Sequence, residues 1–169
     1  MNINVKLNNR FLPDEYTLHG DINDKKQDMP IKSFPIEISN VPPKTKSLSL
    51  ILLDDDSIPV CGFTYIHWVM ANIDPTTKLI PEDQSQKEKI PATKGKNSLA
   101  GKLVNITDKS LNEHYLGPKP PSGTHDYQLE IIALDKKLNL NDGFWLNEMK
   151  HQMKDHIIES AKLTLPTKH

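Results

Sequence analysis

Between Tyr115 and Leu134 the sequence runs YLGPKPPSGTHDYQLEIIAL, a stiff polar loop followed at once by an alternating apolar segment. From Tyr127 to Leu134 the residues Leu129, Ile131 and Ala133 fall on one face of an extended chain, the period-two pattern of a half-buried strand. Ahead of them Gly117, Pro118, Pro120, Pro121 and Gly123 form a loop whose prolines fix backbone dihedrals, so it loses little entropy on meeting a ligand. That loop delivers His125 and Tyr127 to the start of the strand. A rigid structural turn followed by an ordinary histidine accounts for the same residues.

Outward from this segment, thirteen prolines and seven glycines cut the chain into short apolar runs. Further strands are expected at Ile3–Leu7, Phe34–Ile38, Leu48–Leu53, His67–Ile73 and Ala161–Leu165, which makes the chain all-β or α+β with a sandwich core. One helix is predicted over Phe144–Ser160, capped by Asn141 or Asp142, with Trp145, Met149, Met153 and Ile157 at i+4 spacing as a packing stripe. Lys78–Lys109 is polar, lysine-rich and without periodicity, and reads as a long loop, either functional or a solvated insertion. At 169 residues a single domain spanning 1–169 is expected.

Composition narrows the function classes. Twenty-one basic against 22 acidic residues leave a formal net charge of -1, so no global field draws the protein to nucleic acid or an anionic membrane. No apolar run reaches the roughly 18 residues of a membrane helix, and the N-terminal MNINVKLNNRF lacks a signal-peptide apolar region, so a cytoplasmic location without stable membrane association is expected. Cys61 is the only cysteine, which excludes an internal disulfide and a multi-cysteine metal framework; it reads as a small buried apolar residue.

A second polar concentration lies at Leu53–Met70, LDDDSIPVCGFTYIHWVM. Three consecutive aspartates end one apolar strand and His67 leads the next. Asp54–Asp56 also suit a plain turn, where Asp caps the backbone. Ile58, Val60 and Phe63 fit either core packing or an oligomeric face.

Together the two segments resemble the phosphatidylethanolamine-binding family, in its bacterial Raf-kinase-inhibitor-like branch. The first family signature is matched by Asp54, Asp56, Pro59, Tyr65 and His67, and the second by Gly117, Pro120, Pro121, Gly123, His125 and Tyr127. The likeness runs from about Phe34 onward. It departs at Lys119, where the branch often carries a bulky residue or cysteine, at Asp126, where Arg is common, and at Tyr65, where Trp is common.

The resemblance implies a β-sandwich of two antiparallel sheets with Greek-key connections, a C-terminal helix and a long polar loop. It also implies a ligand pocket drawing on Asp54, Asp56, His67, Gly117, Pro120, Pro121, His125 and Tyr127. The side-chain chemistry suits a small anionic ligand such as phosphate or a phosphorylated head group. Imidazole N–H groups, a tyrosine hydroxyl and backbone amides donate, while the aspartates orient the rings and favour their protonated form. On that pairing, phosphate affinity is expected to rise as pH falls from about 8 towards 6. No cofactor or metal is implied. Further implications of the resemblance are regulation of a protein kinase or peptidase, and a homodimer. Two rivals stand: a hydrolase using the same pocket, its His and Asp residues binding a divalent metal or serving as base and orienter, against which the absence of HExxH, GK[ST] and any recognisable nucleophile motif counts, and an oligomeric interaction protein with a vestigial pocket.

Overall fold

The computed structural model describes all residues, 1–169. Ten strands follow in chain order: β1 Asn2–Asn4, β2 Lys25–Lys26, β3 Met29–Pro30, β4 Ile36–Ser39, β5 Ser47–Asp54, β6 Tyr65–Ile73, β7 Leu79–Ile80, β8 Thr93–Lys94, β9 Thr124–Leu134 and β10 Ile157–Lys168. Four short helices join them, α1 Ile58–Cys61, α2 Gln84–Lys87, α3 Lys109–Asn112 and α4 Leu146–Met153. Every pairing between these strands is antiparallel.

Five strands make the larger sheet in the order β10-β9-β5-β6-β8, and three make the smaller in the order β1-β4-β7. The two pack face to face as a sandwich. Alternation along β5 sends Leu48, Leu50 and Leu52 into the shared core, where they meet Ile36, Ile38 and Ile80 of the smaller sheet and Leu129, Ile131 and Ala133 of β9. The opposite face of the large sheet carries Ile51, Val69, Ala71 and Ile132, covered by Met149 and Met153 of α4 with Leu138 and Phe144. Burial on both faces explains why residues 50–53 of β5 read as a continuous apolar run. A two-stranded hairpin, β2–β3, stands apart from both sheets.

Three expectations need correction. The helix expected over Phe144–Ser160 ends at Met153, and it begins after Trp145, whose backbone N–H donates to Glu148 at 2.6 Å; Asp142 instead accepts from the Lys94 amide at 2.8 Å. Past Met153 the chain turns through Asp155 at φ 65° and becomes the 12-residue β10, so the helix is not C-terminal. The i+4 spacing of Ile157 is fortuitous. Ile157 and Ile158 are β-branched, they open an alternating segment, and the ladder with β9 supplies hydrogen bonds that a lone exposed helix turn lacks.

The expected long loop Lys78–Lys109 is a chain of short elements tied down by buried polar residues. Ser85 accepts from the Tyr115 amide at 2.6 Å, and the Asn97 side chain donates to the carbonyls of Leu111 and His114 at 2.7 and 2.8 Å. Cys61 is exposed rather than buried, as are Ile58 and Val60 of α1, which therefore lie outside the core. No helix is long and apolar enough to cross a membrane.

The left-handed turn at Asp155 has a consequence of definite sign. Replacing Asp155 by Gly relieves a positive-φ residue and is expected to stabilise the protein by about 0.5 kcal/mol in urea denaturation, whereas the same change inside a continuing helix would cost about 0.5–1 kcal/mol.

Candidate functional site

Strand register assembles the site. Asp54, the last residue of β5, lies opposite Tyr65 of β6 on one side and Tyr127 of β9 on the other. On β9 strict alternation puts His125 and Tyr127 on the core face with Leu129. On β6 alternation breaks: Leu52 pairs with Trp68 and Leu53 with Ile66, which leaves His67 as an unpaired bulge residue. A bulge lets two neighbouring side chains project to one side, so Trp68 enters the core while His67 lines the cavity beside it.

Because the bulge takes the His67 backbone out of the β5 ladder, its carbonyl is free to accept the Leu116 amide at 2.9 Å, and the His67 ring at Nδ1 returns a bond to the Leu116 carbonyl at 2.8 Å. This two-way link docks the proline-rich loop on β6. The rest of the loop is braced in the same way. The Gly117 amide donates to the Pro30 carbonyl at 2.8 Å, the Leu18 amide to the Pro118 carbonyl at 2.9 Å, and the His169 backbone and ring donate to the carbonyls of Gly123 and Pro120, each at 2.8 Å. A Cβ on Gly117 would meet Pro30 at 2.5 Å and the Tyr16 carbonyl oxygen at 2.7 Å, so only glycine fits there.

The result is a cavity of about 260 Å³ with a mainly apolar wall and a polar floor. Six of the eight expected site residues line it: Asp54, His67, Gly117, Pro121, His125 and Tyr127. Asp56 and Pro120 do not. Asp56 accepts the Asp126 backbone N–H at 2.7 Å and so fastens the aspartate turn to β9, while Pro120 holds the loop through its carbonyl. Sequence reasoning missed Ser57, Leu116, Leu99, Met29 and Lys119 as lining residues, and it read Cys61 and Val60 elsewhere. Their neighbourhood comes from loop packing, which leaves no period in the sequence.

Asp54 is buried and uses both carboxylate oxygens. Oδ1 accepts the Ser57 amide at 3.1 Å, and Oδ2 lies 2.8 Å from His125 Nδ1. Ser57 is equally committed: its hydroxyl oxygen lies 2.6 and 2.8 Å from the carbonyls of Asp54 and Phe63, which share its one proton, and it accepts the Tyr65 amide at 3.0 Å. Cys61 Sγ lies 3.3 Å from each of the carbonyls of Ser57 and Phe63.

Both imidazoles are buried, and each has Nδ1 fixed by an oxygen that only accepts, which places a proton there. Their Nε2 atoms have no protein partner. Since the sealed, partnerless side-chain polar atoms of the protein are Ser49 Oγ and Asn112 Oδ1, the two Nε2 atoms are open to the cavity. The rings of His67 and Tyr127 meet edge to face at 4.9 Å, and Tyr65 packs 5.3 Å from His67.

Burial pulls the His67 pKa down to about 4, against the opposing pull of the Leu116 carbonyl and the Asp54 charge. The Tyr127 hydroxyl is pushed up, first by burial and then by Asp54, and stays a proton donor. The expectation that aspartates favour both protonated rings therefore fails for His67, whose partner is a carbonyl. The sign for stability follows from linkage: a histidine held neutral in the fold contributes in full above its unfolded value of about 6.5, and the contribution is lost as pH falls towards about 4. The melting temperature is expected to fall between pH 6.5 and 4.5 by roughly 5 °C more in wild type than in His67→Gln, as read by calorimetry.

Comparison with known proteins agrees with this architecture. The sequence matches the family profile described as phosphatidylethanolamine-binding protein across residues 2–168. It is 40% identical over 165 residues to an uncharacterized Bacillus subtilis protein, YxkA, covering 98% of each chain. It is 33% identical to a UPF0098 protein of Pyrococcus horikoshii, covering 92% of this chain and 70% of that one. Among solved structures, a protein from Chlamydia trachomatis described as a putative phosphatidylethanolamine-binding protein homolog superposes with a TM-score of 0.76 at 27% identity, over 95% of this chain and 90% of that one. Escherichia coli YbcL, described as a new member of the mammalian family, shares the fold with a TM-score of 0.77 at 21% identity, over 99% and 97% of the two chains. Profile, relatives and fold agree, and the chain belongs to the phosphatidylethanolamine-binding protein family.

Proposed function

We propose that this protein is a non-catalytic binding protein whose cavity takes a small oxyanion, a phosphate-type group, at its floor and an apolar portion of the same ligand along its wall. One observation carries the reading: two buried imidazoles turn their only unpartnered nitrogens into one apolar-walled cavity. A buried nitrogen left without a partner costs free energy unless water or a ligand meets it. The Tyr127 hydroxyl adds a donor to the same floor.

The chemistry of the rings sets a condition on the ligand. With Nδ1–H committed, a neutral imidazole offers Nε2 only as an acceptor, and an oxyanion needs a donor. Binding therefore couples to protonation at Nε2, or the ligand brings its own acidic proton. Of the two rings His125 is the one backed by a carboxylate, Asp54 at 2.8 Å, whereas the partner of His67 is a neutral carbonyl. For hydrolysis through a covalent intermediate a hydroxyl or thiol would have to be free to attack, and Ser57 Oγ and Cys61 Sγ both lie in hydrogen-bond contact with backbone carbonyls. A lipid head group, a nucleotide and a phosphorylated partner all present such a phosphate group, and the floor chemistry is common to all three.

Titration calorimetry with inorganic phosphate and with O-phosphorylethanolamine tests the reading. Affinity is expected to rise between pH 8 and pH 6, by up to about tenfold per pH unit for one proton taken up, with a heat that depends on the ionisation enthalpy of the buffer. His125→Ala is expected to weaken binding at least about tenfold, the size of one charge-assisted hydrogen bond. Affinity that is flat or falling towards pH 6, or unaltered in His125→Ala, overturns the proposal.

A further inference from the structure

The floor of the cavity is short of positive charge. It holds a buried carboxylate, Asp54, beside a histidine kept neutral by burial, and no arginine lines the walls. The one basic side chain with a permanent charge along the lining is Lys119, in the middle of the proline-rich loop. Its Nζ lies 2.6 Å from Asp28 Oδ2. Asp28 occupies the turn between β2 and β3 at φ 63°, following Gln27 at φ 50°, and the next residue, Met29, lines the same cavity. The ion pair thus joins two segments that border one cavity, one presenting a cation and the other a carboxylate.

Both ends of the pair are open to solvent, the Lys119 side chain 46% and the Asp28 side chain 77% exposed, so the contact is weak and readily exchanged. The backbone beneath Lys119 is fixed: Gly117 and Pro118 are anchored by hydrogen bonds on one side and Pro120 on the other. What can move is the four-carbon lysine stem.

We infer that Lys119 is the exchangeable cation of this cavity, held by Asp28 until an oxyanion displaces that carboxylate, so that Asp28 acts as a built-in competitor for the ligand's place. This rests on the oxyanion reading above and adds the group that neutralises the ligand's charge. It gives two neighbouring residues of opposite charge opposite effects on affinity, and it makes binding selective for charged over neutral head groups.

The experiment is calorimetric titration of inorganic phosphate, and separately O-phosphorylethanolamine, into wild type, Lys119→Met and Asp28→Asn at two salt concentrations, with melting curves to confirm that all three are folded. Lys119→Met is expected to bind about tenfold more weakly and with a flatter salt dependence, as loss of one charge-assisted bond implies. Asp28→Asn is expected to bind roughly two- to threefold more tightly, the scale of an exposed ion pair removed from competition. If wild type binds while Lys119→Met is unaltered, or Asp28→Asn binds equally or more weakly, the pair is only a tie between two loops and the inference is overturned with the oxyanion reading intact. If none of the three proteins binds either probe, both are overturned.

Discussion

Asp54 is a carboxylate buried at the end of the central strand, and the site is built around the need to satisfy it. An ionised group taken out of water costs several kcal/mol unless hydrogen bonds replace its hydration. Here the replacements are the Ser57 amide and His125 Nδ1. The first bends the chain into the aspartate turn that ends β5; the second fixes the plane and tautomer of His125. Asp56 then ties that turn to β9 through the Asp126 amide. Removing either partner of Asp54 would leave a buried charge half satisfied, so the orientation of His125 and the shape of the turn are coupled to one another through a single side chain.

His67 obeys a different constraint. It reaches the cavity because, between the Leu52 and Leu53 pairings, β6 carries one residue more than β5 can pair, and the bulge frees its carbonyl for Leu116. The proline-rich loop is therefore registered on β6 by a ring and a carbonyl of the same residue. The two imidazoles, so similar in sequence context, differ in what stands behind them: a carboxylate behind His125 and a peptide carbonyl behind His67. A neutral partner gives the buried cation little compensation, and burial dominates at His67.

Much of this was legible in the sequence where a period or a motif carried it. The alternation of Leu129, Ile131 and Ala133 located β9, and the paired signatures around Asp54, His67, His125 and Tyr127 located four residues that share the cavity. What failed, failed for lack of a local signal. Ile157 kept helical spacing with Met153 although Asp155 turns the chain between them, and a left-handed aspartate leaves no mark in a hydrophobic pattern. Cys61 looked like a core residue because α1 is apolar, yet α1 stands on the surface beside the cavity. Asp56 and Pro120 stood in the right motifs and turned out to brace loops, since a motif fixes which residues are near one another and not which of them faces the ligand.

Position 126 shows why the facing matters. Aspartate where arginine is common suggests, on sequence alone, a cavity stripped of positive charge. In the structure residue 126 lies between His125 and Tyr127 on a strand, so its side chain projects to the opposite face and is exposed, and it is the backbone N–H of Asp126 that contributes to the site, through Asp56. A charge on that outer face acts on the floor through solvent and is screened accordingly. Lys119 is different, because the loop that carries it borders the cavity and its ammonium is held by Asp28, through an exposed carboxylate at 2.6 Å and the backbone carbonyl at 3.4 Å. Of the two charged departures from the family pattern, the one on the loop rather than the one on the strand alters the field that a ligand meets on entering.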